Sequence, residues 1–370
     1  MYCPKCGNEN PDDAQFCCSC NCELLLASPA EKVDVRTSRL AIAAFLFAIL
    51  SILFLPFGLA AIILGIASFI MIDASGGKRT GTLFAILAIL VPVFTFFVIF
   101  LNSVLLRPRS IAFRMTCGTN LSGMGKAMLI YANDYDDKLP RAGGPESRWT
   151  PHILNWAADN RYDAYALALN GGGGTASISS SLYLLVKYAE VTPKSFVCTH
   201  DKGTTEFKLT EYQVRNKELI DLWDFGPEPW KHCSYSYHMP YGRYALTTSS
   251  KPGMAVAGDR NPWIDSPAAK AKDFSRFKPD MPPWNGTIKQ ARCGNAITHQ
   301  EDGQNVLFMD SHVQFAKRPY CAIDDDNIYT HLPYGFGDQQ IGEPPVPFDC
   351  QPGNRKDSLL LHDPPALDQE

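Results

Sequence analysis

Four cysteines near the start of the chain form two pairs with the spacing of metal ligands. The pairs are Cys3 with Cys6 and Cys17 with Cys20. A Cys-x2-Cys turn holds two thiolates together, and two such turns facing each other complete a tetrahedral shell of four sulfurs. The spacing therefore predicts a structural zinc site with these four ligands. Four thiolates leave no open position for water or substrate, so we expect no catalysis by the zinc.

The residues around the two pairs support this interpretation and leave alternatives open. Gly7 and Asn21 follow the pairs, at positions where the backbone often needs the positive φ that glycine and asparagine tolerate. Cys18 and Cys22 are additional cysteines, so a shifted ligand set and a disulfide-stapled peptide are the alternatives. The unit is too small to bury a core, and we expect it to fold only with its metal.

The other six cysteines are scattered singly along the chain. A dispersed, even set is typical of disulfides in an oxidising compartment, whereas a dense cluster is typical of a metal site. Both patterns in one chain imply two redox environments with a membrane between them. The sequence leaves the pairing open among Cys117, Cys198, Cys233, Cys293, Cys321 and Cys350.

Three side chains near residue 300 are the candidates for catalysis. Asp310 and His312 point to the same face of a predicted strand, and His299 precedes them. A hydrolase needs a nucleophile or an open metal site with a placed acid and base, and the sequence contains no Gly-x-Ser-x-Gly, phosphate-loop or His-Glu-x-x-His motif. We therefore predict a turn and a strand held by hydrogen bonds, no catalytic residue and no enzyme. An envelope hydrolase using His299, Asp310 and His312 is the alternative.

The charged residues argue against a nucleic-acid partner and leave open a bound cation. The net charge is -4 at pH 7, and nucleic-acid binding normally needs a basic patch or stripe, so we expect no nucleic-acid partner. The run from Asp324 to Asp326 offers oxygen ligands for a hard cation such as Ca²⁺. A solvated acidic turn is the other interpretation of that run.

Two uncharged apolar stretches are the candidate membrane-spanning segments that would separate the cysteine cluster from the C-terminal part of the chain. A bilayer core needs about 20 apolar residues in a helix, and 83–106 fits one span. The stretch 40–72 is too long for one span and short for two. Its middle holds Pro56, Phe57 and Gly58, which predict a hairpin turn, so the sequence predicts two or three passes.

Basic residues beside these stretches set the expected orientation. Cytoplasmic flanks are enriched in Lys and Arg, which favours the two flanks of 40–72 on the cytoplasmic side. That arrangement requires a hairpin across 40–72 and places the C-terminal part outside. The flanking residues are Lys32, Arg36, Arg39, Lys78 and Arg79, whereas Arg107, Arg109 and Arg114 favour the opposite orientation.

From Ser110 onward the pattern is that of a globular domain. Apolar residues recur at threes and fours across 111–134, and 182–189 is a second helical candidate. The Gly-rich and Ser-rich segments 171–174 and 177–181 predict a flexible loop. The Pro-rich polar tail 342–370 is expected to be poorly ordered. Short apolar runs predict strands at 234–239, 254–257, 305–308 and 312–315.

The first 81 residues resemble two families. Residues 1–23 resemble a short N-terminal zinc-ribbon family with the pattern Cys-Pro-x-Cys-Gly, then Asn, Pro, Phe and Cys-x-x-Cys. Besides the four cysteines, the matches are Pro4, Gly7, Asn10, Pro11 and Phe16. The following stretch resembles a small bacterial multi-helix membrane family, which implies no chemistry. Its matches are Leu40-Ala41-Ile42, Pro56, the run from Gly58 to Gly65 and the loop from Gly76 to Gly81.

The C-terminal part resembles type II pseudopilin-like proteins of the kind that carry a His-x9-Asp-Gly signature. In this chain ten residues separate His299 from Asp310, and Ser311 replaces the glycine. The resemblance implies a long N-terminal helix packed on an antiparallel sheet and a location outside the cytoplasmic membrane. The matching blocks are 117–140, 196–198, 233–237, 257–262 and 295–313.

One departure from the pilin pattern concerns assembly. Lys78-Arg79-Thr80-Gly81 imitates a prepilin leader, but the fifth position after it is Ile86, where a prepilin has a glutamate. Without that carboxylate, the contact to a neighbour's new N-terminus is missing. We therefore expect a pilin-like head on a different anchor, not a filament subunit.

These observations predict a multi-domain chain that is a structural or interaction protein of the bacterial cell envelope. Its expected partners are the lipid bilayer, a cytoplasmic protein at the ribbon and an envelope protein at the C-terminal domain. A membrane sensor with a ligand-binding head is the alternative. The predicted parts are a zinc ribbon (1–23), a linker (24–39), transmembrane helices in the cytoplasmic membrane (40–106), an extracytoplasmic α+β pseudopilin-like domain (107–341) and the tail (342–370).

Overall fold

The computed structural model of the chain describes residues 1–24, 36–76, 78–144, 146–277, 287–332 and 342–365. It has two compact units, Met1–Leu106 and Arg107–Glu370. Most of the predicted linker, including Lys32, and the last residues of the tail lie outside the described residues. The side chains of 103–110 and of 288–289 also lie outside them.

Three apolar helices dominate the first unit. Helix α1 is Arg39–Leu50, helix α2 is Pro56–Asp73, and helix α3, Thr82–Asp134, begins in this unit. The hydroxyl of Ser38 accepts the amide of Ala41 at the start of α1. Pro56 occupies the first turn of α2, where its missing N–H costs nothing. The break between α1 and α2 is therefore 51–55, and the turn expected at Pro56-Phe57-Gly58 lies inside α2 instead.

Small residues fill the contacts among these helices. Ala44, Ala48 and Ala61 are fully buried. A Cβ added to Gly58 would lie 3.2 Å from the Cβ of Pro92, and one added to Gly65 would lie 3.0 Å from Ile89. Glycine at both positions therefore lets α2 approach α3 closely, as in the small-residue contacts of membrane helices.

Two of these helices have the length and composition of membrane spans. Among the described residues, Pro56–Asp73 and Thr82–Asn102 are long and apolar enough to cross a bilayer. Helix α1 has 12 residues, which extend about 18 Å at 1.5 Å per residue, short of the roughly 30 Å of hydrocarbon. The first half of 40–72 therefore does not form a full-length helical span.

A short parallel pairing joins the segments before α1 and before α3. Strand β1 is Arg36–Thr37 and strand β2 is Arg79–Thr80, with Arg36 opposite Arg79. The Ser38 amide donates to the Thr80 carbonyl over 2.9 Å. The two basic flanks of 40–72 therefore lie side by side.

The second unit is built on a five-stranded antiparallel sheet. The predicted strands are confirmed as β5 (Tyr235–His238), β6 (Ala255–Asp259), β7 (Gln304–Phe308) and β8 (Val313–Ala316). The last strand, β9, is Leu360–Leu361, and the order is β8-β7-β6-β5-β9. Short helices α4 (Arg161–Tyr165) and α6 (Ile288–Cys293) and the strand pair β3 (Arg148–Trp149) and β4 (Thr175–Ala176) lie outside the sheet.

The C-terminal part of α3 packs on one face of this sheet. Leu121, Met124 and Met128 are buried in the same core as Leu307 of β7. A Cβ added to Gly125 would lie 2.8 Å from a methyl group of Leu307, so glycine sets the helix–sheet distance. Neighbouring β7 residues enter a second core, because successive side chains of a strand point to opposite faces.

Within the described residues, part of the tail forms a strand and the serine-rich segment starts a helix, contrary to the sequence expectation. Leu361 pairs with Tyr237 of β5, and Leu359 to Leu361 are fully buried. The sequence analysis did not predict a strand at this short run of leucines, because Pro-rich polar residues surround it. Ser177 caps helix α5 (Ile178–Ala189) in a reciprocal pair with Ser180, so the serines start a helix because their hydroxyls satisfy its free amides.

One carboxylate ties the tail to that helix. Asp363 accepts the amides of Ile178 and Ser179 at 2.9 and 2.8 Å and the indole N–H of Trp149 at 2.8 Å. Free amides at a helix N-terminus favour an anion. The tail therefore completes both the sheet and the start of α5.

Replacing Gly125 with valine should destabilise the second unit by about 1–3 kcal/mol, because the new side chain enters the space of buried Leu307. Gly123→Val is the matched control, since nothing lies within 4 Å of a Cβ at Gly123 on the same helix. Thermal unfolding of the detergent-solubilised chain measures both. Equal unfolding temperatures for the two variants would contradict the helix–sheet contact.

Candidate metal centre

The four cysteines predicted as zinc ligands converge in the structure. Their Sγ atoms all lie within 4.8 Å of one another, with Cys3 to Cys20 at 3.6 Å and Cys6 to Cys17 at 3.5 Å. A tetrahedron with Zn–S bonds near 2.3 Å has edges of about 3.8 Å. The sulfur spacing therefore fits a four-thiolate zinc site.

Each cysteine pair lies on the same local structure, so the ribbon is an internal repeat that the sequence analysis missed. Gly7 donates its amide to the Cys3 carbonyl, and Asn21 donates its amide to the Cys17 carbonyl, both over 2.9 Å. Flanking bridges repeat as well, Tyr2 with Glu9 and Phe16 with Glu23. The sequence carries the same repeat, since Tyr2, Cys3, Cys6 and Glu9 match Phe16, Cys17, Cys20 and Glu23, while the positions between them differ.

The backbone at Gly7 and Asn21 has the expected left-handed conformation, with φ of 71° and 54°. Few residue types other than glycine and asparagine adopt this conformation without strain. This left-handed conformation turns the chain back after each cysteine pair, so that backbone amides face the sulfurs. Both residues thus shape the site without contributing ligands.

The electrostatics of the site favour a bound cation. Amides of Cys20 and Ser19 lower the pKa of Cys17 to about 6. The Cys22 amide likewise lowers the pKa of Cys20. The neighbouring Cys6 thiol, burial and the Cys3 thiol outweigh this effect and raise the pKa of Cys20 to about 12. Four thiolates at this separation repel one another, and a divalent metal removes that repulsion by coordinating them.

A buried asparagine connects the two halves around the sulfurs. The Nδ2 of Asn10 donates to the Cys17 sulfur at 3.6 Å and to the Asn8 carbonyl at 2.8 Å. Its Oδ1 accepts the Cys18 amide at 2.9 Å. Asn10 therefore orients a ligand from outside the coordination shell, a role that affects metal affinity.

The extra cysteines do not replace any of the four. Cys18 is exposed, and Cys22 is partly exposed; neither belongs to the group whose sulfurs converge. Within residues 1–24 all six cysteines are free thiols. The shifted ligand set and the disulfide-stapled peptide are thus not what the structure shows.

The histidines and aspartates of the second unit do not form one site. His299 is buried, 3.5 Å from Asp259 and 3.3 Å from the Asn305 amide group at the start of β7. Asp310 and His312 form an exposed pair in the turn after β7. The five residues of β7 span roughly 16 Å between its start, near His299, and its end, before Asp310 and His312. His299 therefore lies too far from that pair to share its chemistry.

The dispersed cysteines and the acidic run have structural contacts. Cys117 of α3 and Cys198 form a disulfide, which resolves one pair among the dispersed cysteines, and Cys233, Cys321 and Cys350 are free thiols. Asp324 binds Lys356 at 2.8 Å, and Asp326 accepts the Ser358 amide at 2.7 Å. Both carboxylates therefore hold the tail near β9.

Comparison with known protein families, with curated proteins and with solved structures found no match to this chain.

One zinc ion should bind per chain, and Cys6→Ser with Cys20→Ser together should abolish binding, because a two-thiolate remnant cannot close the shell. Cys18→Ser is the control and should keep full occupancy, since its sulfur lies outside the cluster. Metal analysis of the purified chain, with chelator competition, measures both. Zinc loss in the control alone, or full occupancy in the double variant, would contradict the assignment.

Proposed function

We propose that the chain is a membrane-anchored structural or interaction protein of the bacterial cell envelope, not an enzyme. A zinc-stabilised ribbon serves as a docking unit on the cytoplasmic side, and a pilin-like head is held on the other side. The observation that carries the proposal is the inverted packing of the apolar helices, described next.

In the helices of the first unit, small side chains face inward and large apolar ones face outward. Leu59, Ile63 and Phe94 are 70%, 66% and 68% exposed, while Ala61 and Ala88 are 0% exposed. Soluble proteins rarely expose contiguous apolar surface of this extent. A hydrocarbon surrounding accommodates such side chains, and small residues then let the helices associate.

The pairing of β1 with β2 supports the proposed orientation. Arg36 and Arg79 lie opposite each other, so the segments before α1 and before α3 are on one side of the bilayer. Basic flanks favour the cytoplasmic side. The chain then enters and returns through α1 and α2, and the apolar part of α3 crosses to the outer side.

The head's architecture supports the resemblance to pseudopilins. A helix that begins in an apolar segment and ends on an antiparallel sheet is what the resemblance implies, and α3 has 53 residues with its C-terminal part on β7. The buried disulfide between Cys117 and Cys198 suits an oxidising compartment. We therefore place the head outside the cytoplasmic membrane.

The ribbon supports a docking role. Its four-thiolate site is closed, so the metal would supply rigidity and no reactive position. Tyr2 and Phe16, at matching positions of the repeat, are 69% and 52% exposed. Exposed aromatic side chains are enriched in protein interfaces, and this pair would contact a cytoplasmic protein partner.

The anchor is proposed to be retained, so the chain is not a filament subunit. A pilin subunit loses its leader and pairs its new terminal amine with a carboxylate of a neighbour. An unpaired amine in lipid is costly, and Ile86 offers no carboxylate at the required position.

We expect the protein to stay in the membrane pellet after alkaline washing and to have its full mass of 41.0 kDa. Intact-mass analysis of washed membranes tests both points. Release into the wash would contradict membrane anchoring. A fragment that begins at Thr82, recovered from sheared filaments, would show processing and assembly like a pilin and would contradict the retained anchor.

A further inference from the structure

A cavity in the head, beside the end of β6, has the composition of a binding site for a small anion. Its volume is about 280 Å³, just below the range of about 300–1,000 Å³ for small-molecule pockets. The lining is rich in hydrogen-bond donors and cations. It includes His200, Lys202, Arg260, Thr298 and Gln300.

The buried guanidinium of Arg260 is the central group of this cavity. Its side chain is only 4% exposed, and its Nε lies 3.2 Å from Asp201. Its Nη2 donates to the Thr204 hydroxyl and to the carbonyls of Trp230 and Cys233. These contacts fix the guanidinium plane and supply only one formal negative charge.

Two nitrogens of Arg260 lack a hydrogen-bond partner. Among the residues that the structure describes, neither Nε nor Nη1 makes a hydrogen bond, although both atoms are buried. A buried charged donor without a partner is costly. Because Arg260 lines the cavity, an anion bound there would balance the charge of its guanidinium.

The tautomer of His200 adds a second donor. Its Nδ1 accepts the amide of His299 at 3.2 Å, so the ring proton is on Nε2 in the neutral imidazole. Burial, together with the nearby His299, lowers the pKa of His200, which favours that neutral form. The ring therefore offers an N–H donor at the cavity wall.

The remaining wall is also suited to an anion. Lys202 brings a full positive charge at the exposed rim, and Thr298 brings a hydroxyl. The one acidic side chain of the described lining is Asp201, which is already engaged with Arg260 and with the Thr204 hydroxyl at 2.8 Å. Donors and positive charge thus exceed acceptors and negative charge.

The backbone beside the cavity is strained. His299, Gln300 and Glu301 have φ of 62°, 61° and 61°, a left-handed conformation that costs non-glycine residues free energy and is concentrated at functional sites. This turn places Thr298 and Gln300 in the cavity wall. The strain accompanies the site but is not the basis of its assignment.

We propose that this cavity binds the oxyanion group, carboxylate or phosphate, of a small molecule. The charge of Arg260 attracts the anion, the oxygens accept hydrogen bonds from His200 Nε2 and Thr298, and Lys202 provides charge at the entrance. Charge-assisted hydrogen bonds of this kind are about twice as strong as neutral ones. The inference is independent of the membrane anchor and of the zinc ribbon.

Titration calorimetry of the full chain in detergent tests the proposal, with sodium phosphate and sodium acetate as probes and glycerol as the uncharged control. We expect saturable binding of at least one anion, with no heat from glycerol. Phosphate binding alone would identify a phosphate-bearing ligand, and acetate binding alone a carboxylate-bearing one. No binding of either anion up to about 50 mM, far above a Kd of 1 mM, would overturn the proposal.

Variants that leave Arg260 intact avoid the folding defect that loss of this buried side chain would cause. Lys202→Ala with Thr298→Val should weaken binding about tenfold, because it removes the charge at the entrance and one hydroxyl hydrogen bond. Lys208→Ala is the matched control, because Lys208 is an exposed lysine outside the described lining of the cavity, and it should bind normally. Unchanged affinity in the double variant, or an equal loss in the control, would overturn the site.

Discussion

The packing of α1, α2 and the first part of α3 imposes the main constraint on the molecule. Alanine and glycine occupy the contacts, so the large apolar side chains face outward, and the proposed hydrocarbon surrounding would make that favourable. Apolar surface in water costs about 25 cal/mol per Å². Lipid removes this cost, and close van der Waals contact between small residues then holds the helices together. The proposed anchor follows from this arrangement.

The ribbon and the head are stabilised in different ways. The ribbon is too short to bury a core, so the four converging sulfurs and the zinc predicted to bind them would take the place of one. The head buries two cores, one on each face of its sheet, and closes its chain with a disulfide and with Asp363 at the start of α5. Metal and disulfide suit opposite redox compartments, which agrees with a membrane between them.

The sequence was informative where local chemistry determines structure. The spacing of Cys3, Cys6, Cys17 and Cys20 predicted that their four sulfurs converge, because two turns suffice to bring them together. Four strands were recognisable from short apolar runs between turn residues. Ser177 shows the limit of composition, since a serine-rich segment was expected to be flexible and instead caps a helix.

Long-range contacts account for what the sequence could not reveal. Leu360 and Leu361 form a strand only because they pair with the edge of β5, and the residue pattern of the tail does not indicate that edge. The cavity around Arg260 joins residues far apart in the chain, and its two nitrogens without hydrogen-bond partners are identified only once the other contacts are known. The repeat in the ribbon became evident from its backbone hydrogen bonds.

The orientation of the chain in the membrane tests the account most directly. A reporter fused after Glu370 and active only outside the cytoplasm, such as an alkaline phosphatase that needs disulfides, should be active in living cells. A reporter active only in the cytoplasm should be inactive at the same position. The reverse result would contradict the hairpin formed by α1 and α2, the cytoplasmic placement of Arg36 and Arg79, and the external head.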